Sequence, residues 1–161
     1  MDNPLRRPWE ILAYRQLDRM LAAKSKSLWT VKPTDTALAA MRLMADKDIG
    51  LVLVMENDAL VGVLSERDCV RRIVLAGKSA EATSVSDVMV SNVVKAKISD
   101  TFADCLKLMH DNRIRHLPVI ANGAVVGIVS VRDLLGEAIA HYGRVIGELE
   151  RERLTMLTST A

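Results

Sequence analysis

The sequence predicts an α+β fold of two tandem βαββα repeats, and three observations predict it. Slid by 65 residues, the segment from Lys32 to Asp68 matches the chain again without a gap. Within each copy the hydrophobic period changes in the same order, from helical to strand-like and back. Each copy then closes on one pattern, Gly, two apolar residues, Ser, two variable residues and Asp, at Gly62–Asp68 and Gly127–Asp133. A repeat copied end to end constrains the architecture before residue propensities are consulted.

The alignment pairs Lys32 with Lys97, Asp35 and Thr36 with Asp100 and Thr101, Met44 with Met109, Asn57 with Asn122, and Gly62 with Gly127. Ahead of the repeats, Trp9–Ala23 reads as a leading helix. Ala37, Ala40, Met41 and Met44 fall at i, i+3, i+4 and i+7, as do Phe102, Cys105, Leu106 and Met109. An amphipathic helix therefore opens each copy after a short strand. Asp35 and Asp100 precede these helices and are expected to act as N-caps or first-turn carboxylates. Apolar, largely β-branched runs come next at Leu51–Met55 and Leu117–Ile120, then polar turns at 56–58 and 121–123, then second runs at Leu60–Leu64 and Val125–Val129. Each reads as a β-hairpin, with Asn122-Gly123 the stronger turn because both residues tolerate positive φ.

A second helix succeeds each hairpin, from Glu66 to about Leu75 and from Val131 onward. The latter is expected to run past His141 to about Leu157, with Gly136, Gly143 and Gly147 as weak points. Along it, Leu135, Ile139, Tyr142, Ile146 and Leu149 alternate spacings of four and three, a stripe that fits either a partner-facing seam or packing on its own chain. One repeat alone leaves an apolar sheet face uncovered, so two copies packed sheet to sheet about a pseudo-twofold axis bury it. The segments are an N-terminal helical segment at 1–27, the repeats at 28–82 and 83–141, and a helical extension at 142–161.

Composition narrows the function. With 22 Lys and Arg against 20 Asp and Glu, no strong field draws the chain to nucleic acid or an anionic membrane. Apolar runs fall far short of the roughly 20 residues that span a bilayer, and acidic residues interrupt any export signal near the start, so a cytoplasmic protein with no membrane insertion is expected. Cys69 and Cys105 have no ligand spacing and read as buried free thiols. Gly77-Lys78-Ser79 reads as a helix-ending loop, since position 72 is Arg where a P-loop needs Gly. His110, His116 and His141 show neither metal nor triad spacing. Arg67, Arg71, Arg72 and Lys78 fit either a solvated helix face or a phosphate or partner contact.

The doubled closing pattern resembles the signature of CBS (cystathionine-β-synthase-like) domains, here Gly62-Val63-Leu64-Ser65-Glu66-Arg67-Asp68 and Gly127-Ile128-Val129-Ser130-Val131-Arg132-Asp133. Val85-Ser86-Asp87-Val88-Met89 before the second copy and Arg113–Val119 entering its hairpin match as well. The resemblance spans about 28–141 and is closest in kind to short bacterial CBS pairs. It implies a non-catalytic regulatory module whose ligands are AMP, ADP, ATP or NAD(H), with S-adenosylmethionine also open. It also implies a homodimer of CBS pairs and, in the process controlled, a regulated enzyme or transporter. The resemblance implies no required cofactor. An adaptor with empty clefts that docks on such a partner is the alternative.

Ser-x-x-Asp at a helix start is also a capping box, so Ser65–Asp68 and Ser130–Asp133 can cap, bind ligand, or both. The chemistry suits a nucleotide: helix N-terminal N–H groups and the Ser hydroxyl favour phosphate, and an Asp carboxylate can accept both hydroxyls of a ribose. Asp68 and Asp133 are the expected ribose anchors, with Ser65 and Ser130 near phosphate and Gly62 and Gly127 allowing close approach of ligand or chain. Arg67 and Arg132, within the signature, belong to the same candidate site. The base is expected against Thr30–Lys32 and Leu51–Leu53, or Val94–Lys97 and His116–Pro118. Arg115, His116 and Pro118 replace Gly50, Leu51 and Leu53 of the first copy, which predicts tighter binding at the Asp133 site.

Overall fold

A computed structural model of the protein describes residues 17–23 and 27–159. Helix α1 spans Leu17–Ala23, and the rest of the expected leading helix lies outside the described residues. The first copy comprises β1 (Thr30–Val31), α2 (Ala37–Lys47), β2 (Leu51–Glu56), β3 (Ala59–Ser65), α3 (Glu66–Cys69) and a π-helical turn at Val70–Val74. A short α4 (Val85–Val88) leads into the second copy: β4 (Ala96–Lys97), α5 (Phe102–Asn112), β5 (His116–Ala121), β6 (Ala124–Ser130) and α6 (Val131–Ser159). The two sheets have hydrogen-bonded orders β1-β2-β3 and β4-β5-β6. This is the mixed helix and sheet composition that the repeat predicts.

The copies agree down to register. Val31 pairs in parallel with Val54, and Ala96 pairs in parallel with Val119, the same pair displaced by one repeat. Helices α2 and α5 end alike: Asp48 and Arg113 take the left-handed conformation, with φ of 51° and 54°, and the next amides, Ile49 and Ile114, reach back to the carbonyls of Met44 and Met109. Both hairpins turn through positive φ at two residues, Asn57 and Asp58 in one and Asn122 and Gly123 in the other. That is the I′ geometry that suits the strands' right-handed twist.

Two expectations need correction. The N-caps of α2 and α5 are Thr36 and Thr101, not Asp35 and Asp100. The Asp35 carboxylate instead accepts from the Lys32 amide at 2.7 Å, closing the turn before the helix, which leaves the Thr36 hydroxyl to accept from Ala39. The helix expected from Glu66 to about Leu75 is α-helical only as far as Cys69. Beyond it the Leu75 amide bonds to the Val70 carbonyl at 2.9 Å, a wider i→i−5 turn, and Gly77 then ends the segment with φ of 65°.

Packing divides the described chain into two units. One holds β1 through β4 with Pro118–Ile128, and the other holds α1, Ser99–Leu117 and the chain from Val129 onward. In the first, Val31, Ala37, Ala40, Met44, Val52, Val54, Leu64, Cys69, Ile73, Val85 and Val88 form one buried cluster. Each large side chain there contributes about 1.5–3 kcal/mol by leaving water. Outside it, Arg72 donates to the Val88 and Met89 carbonyls at 3.2 and 2.8 Å, pinning the π-helical turn to the end of α4. Val63 and Val90 exchange both backbone hydrogen bonds, at 3.0 and 2.8 Å, so the segment after α4 lies along the outer edge of β3. In the second unit Leu17, Phe102, Cys105, Met109, Leu117, Val129 and Leu134 are buried.

Candidate functional site

The candidate site forms where a hairpin's last strand becomes a helix. At the end of β3, Ser65 leaves extended geometry and caps α3: the Asp68 amide donates to the Ser65 hydroxyl at 3.2 Å, and the Asp68 carboxylate accepts from the Ser65 amide at 3.2 Å and from the Ser65 hydroxyl. At the end of β6 the same three bonds recur. The Asp133 amide reaches the Ser130 hydroxyl at 3.2 Å, while Asp133 Oδ2 takes the Ser130 amide at 2.8 Å and hydroxyl at 2.7 Å. Both junctions are therefore complete capping boxes.

One further bond fixes each junction. The first helical amide, Glu66 or Val131, donates to the carbonyl of Gly50 or Arg115 at 3.2 or 3.0 Å. The entry to the hairpin's first strand is thus tied to the first turn of the next helix. This brings residue 115, with Ser130 and Asp133, to one place, and residue 50 to Ser65 and Asp68. His116 comes directly after Arg115 at the start of β5. Sequence reasoning missed this bond because it joins residues far apart along the chain with no side-chain signal.

Exposure sorts the expected site residues. Ser65, Asp68, Ser130, Asp133 and His116 are half-buried, Arg67, Arg115 and Arg132 are exposed, and Gly62, Pro118 and Gly127 are buried. The two carboxylates are neither sealed in the core nor open on all sides. Of the residues expected around a base, Thr30 pairs directly with Leu53, and β4 pairs with β5 through Val119 and Ile120, one and two residues past Pro118. Beside Gly62 the neighbour is protein: a Cβ there would stand 2.5 Å from Met89 Sδ and 3.2 Å from the Val90 carbonyl oxygen. A bare residue is needed at that point for the chain's own close approach.

Donors expected for a phosphate are largely engaged within the chain. The N1 amides bond to residues 50 and 115, the N3 amides to the Ser hydroxyls, and those hydroxyls to the Asp carboxylates. The Asp68 and Asp133 carboxylates each take their two capping bonds on Oδ2. A third capping box, not singled out from the sequence although Thr-x-x-Asp signals it, joins Thr101 to Asp104 at the start of α5. Hydrogen bonds from the Thr101 side chain and then its backbone hold the Asp104 carboxyl below its ordinary range. Unlike the other two boxes, its Asp is exposed.

Both thiols are free and buried. Burial, reinforced by Asp68 and Glu66, pushes Cys69 up to about 11; burial, reinforced by Asp100 and Asp104, pushes Cys105 up to about 12. Neither is a thiolate near neutral pH, so neither is poised as a nucleophile. Among the described residues, no helix is long and apolar enough to cross a membrane.

The CBS domain family model matches residues 23–75 and 85–140. A mitochondrial CBS domain-containing protein of Arabidopsis thaliana, CBSX3, is 33% identical over 142 residues, covering 82% of this chain and 67% of that protein. Another Arabidopsis relative, CBSCBSPB5, is 34% identical over 119 residues, 73% of this chain, but the match spans 22% of that longer protein. Among solved structures, a CBS-domain protein of Burkholderia ambifaria superposes with a TM-score of 0.76 at 36% identity, covering 78% of this chain and 95% of that one. With both signatures inside the matched residues and both sheets in the same register, the chain belongs to the CBS domain family and carries a tandem pair of its domains.

Proposed function

We propose that this CBS pair is a regulatory module that binds an adenine nucleotide, AMP, ADP, ATP or NAD(H), at its strand-to-helix junctions and turns nothing over. The module acts as a homodimer of pairs in a reducing, cytoplasmic setting, where both thiols stay free, and it controls an enzyme or transporter. The observation that carries this reading is the pair of half-buried carboxylates, Asp68 and Asp133, each oriented by its own serine. A carboxylate is the acceptor that suits the two vicinal hydroxyls of a ribose, and the serine fixes its orientation. Arg115, at the second junction and exposed, supplies the cation that its counterpart Gly50 lacks, so phosphate is gripped by side chains more than by backbone donors.

Calorimetry with AMP, ATP and NADH tests this directly. Losing a charge-assisted contact of about 1.5–3 kcal/mol weakens binding by roughly 10- to 100-fold, which is the expected result for Asp133→Ala. The matched control is Asp104→Ala, which removes a capping box of the same design at the start of α5 and is expected to leave affinity unchanged. Equal affinity in wild type and Asp133→Ala for all three nucleotides sinks the assignment. One observation favours the adaptor reading, in which the junctions are caps alone: the engagement of N1, N3 and Ser donors inside the chain. Its signature is no thermal shift with any adenine compound, together with a stable protein partner.

A further inference from the structure

The long helix α6 continues well past the residues that match the family model, which end at 140, to Ser159. It is unbroken through Gly136, Gly143 and Gly147, each of which weakens a helix by roughly 1 kcal/mol relative to Ala. It also carries exposed apolar side chains along one stripe: Leu135 at 56%, Ile139 at 72%, Ile146 at 56%, Leu149 at 47% and Met156 at 68% of their full exposure. Half-buried Tyr142 completes the run. Spaced four and three, these positions fill the two core sites of a heptad, the repeat of about 3.5 residues that meets another helix rather than a flat surface.

We propose that this stripe is the docking surface for a second copy of the same chain, joined α6 to α6 as an antiparallel coiled coil. Charge selects both the occupant and the direction. Over the extension Arg144, Arg151 and Arg153 balance Glu148, Glu150 and Glu152, which is not the cationic face that holds a helix on an anionic membrane. Arg153 falls on a core site of the heptad. In a parallel pair it meets its own copy, charge against like charge. In an antiparallel pair Leu149 meets the second copy's Ile146, Arg153 meets its Tyr142 ring, a favourable cation–π partner, and Met156 meets its Ile139. Gly136 and Gly143 flank the seam, and among the described residues nothing beyond the helix's own backbone lies within 4 Å of where their Cβ atoms would stand. That open space admits a partner helix at close range. The proposal does not rest on nucleotide binding, and its success or failure leaves the junctions untouched.

Full-length chains carrying Ile139→Cys and Met156→Cys test the register under mild oxidation. The native thiols are buried and protonated, so they do not compete. Mixed together, the two variants should form an intermolecular disulfide that neither forms alone. Ile146→Asp, an exposed site that the isolated fold tolerates, should raise the dimer dissociation constant by roughly 10- to 100-fold in sedimentation equilibrium. Efficient self-linking of Met156→Cys overturns the antiparallel register. An absent mixed disulfide, with the Ile146→Asp mass distribution unchanged, overturns the proposal and leaves the stripe to residues 1–16 or to an unrelated protein.

Discussion

The first junction opens a helix that stays α-helical for four residues, widens into a π-helical turn and stops at Gly77; the second opens one that runs unbroken for 29 residues. Their starts agree bond for bond, from the capping box to the tie with residue 50 or 115. The repeated pattern thus specifies how a helix begins and says nothing of how it ends. The end depends on residues outside the pattern: a left-handed glycine and an arginine pinned to the end of α4 in one case, a continuing heptad in the other. Shared entry with divergent exit lets one copied unit serve two ends of a chain.

The largest effect that sharpens this comparison lies in the opening helices, where Ala37 and Phe102 occupy equivalent buried positions. Phe102→Ala should cost about 3–5 kcal/mol by leaving a cavity, and Ala37→Phe about 1–3 kcal/mol by overpacking. Urea denaturation reads both. Next is ligand affinity: Asp133→Ala is expected to lose roughly 10- to 100-fold and Asp68→Ala less, because only the second junction carries Arg115. An equal loss at both would show that the arginine contributes nothing.

Gly62→Ala should destabilise by about 1–3 kcal/mol, since Met89 can swing aside but the Val90 carbonyl belongs to a paired backbone. Arg72→Ala should cost about 1 kcal/mol and affect the first copy alone, because the equivalent position in the second is Glu137. The smallest effect is the most symmetric. Asp48→Gly and Arg113→Gly each relieve a left-handed L-residue, worth about 1–2 kcal/mol, against a backbone entropy cost of about 0.5–1 kcal/mol. Both variants should gain a few tenths of a kcal/mol or more, and by similar amounts, in thermal melts.

The repeat, both hairpins, the amphipathic helices and the capping residues at Ser65 and Ser130 were all legible in the sequence, because each is a local pattern written twice. What was not legible is tertiary. Asp35 precedes α2 in the manner of a cap, yet its carboxylate reaches back to Lys32, and only the folded turn decides between the two. Arg72 reads as one cation in a solvated stretch until the chain returns with two carbonyl groups at the end of α4. The phosphate donors expected at the helix starts are engaged by carbonyl groups from 16 residues upstream, Gly50 for Glu66 and Arg115 for Val131. The Thr101–Asp104 box was readable but lacks the preceding glycine and strand that mark the other two.

The two hydrogen bonds between Val63 and Val90 have a consequence for handling the protein at high concentration. A seven-residue strand such as β3 leaves a row of backbone donors and acceptors along its outer side, an invitation to strand addition from another molecule. Val90 takes up the donor and acceptor that Val63 presents on that side. A proline there would unfasten it, and the expected outcome is fibrillar or amorphous aggregation from an otherwise native fold.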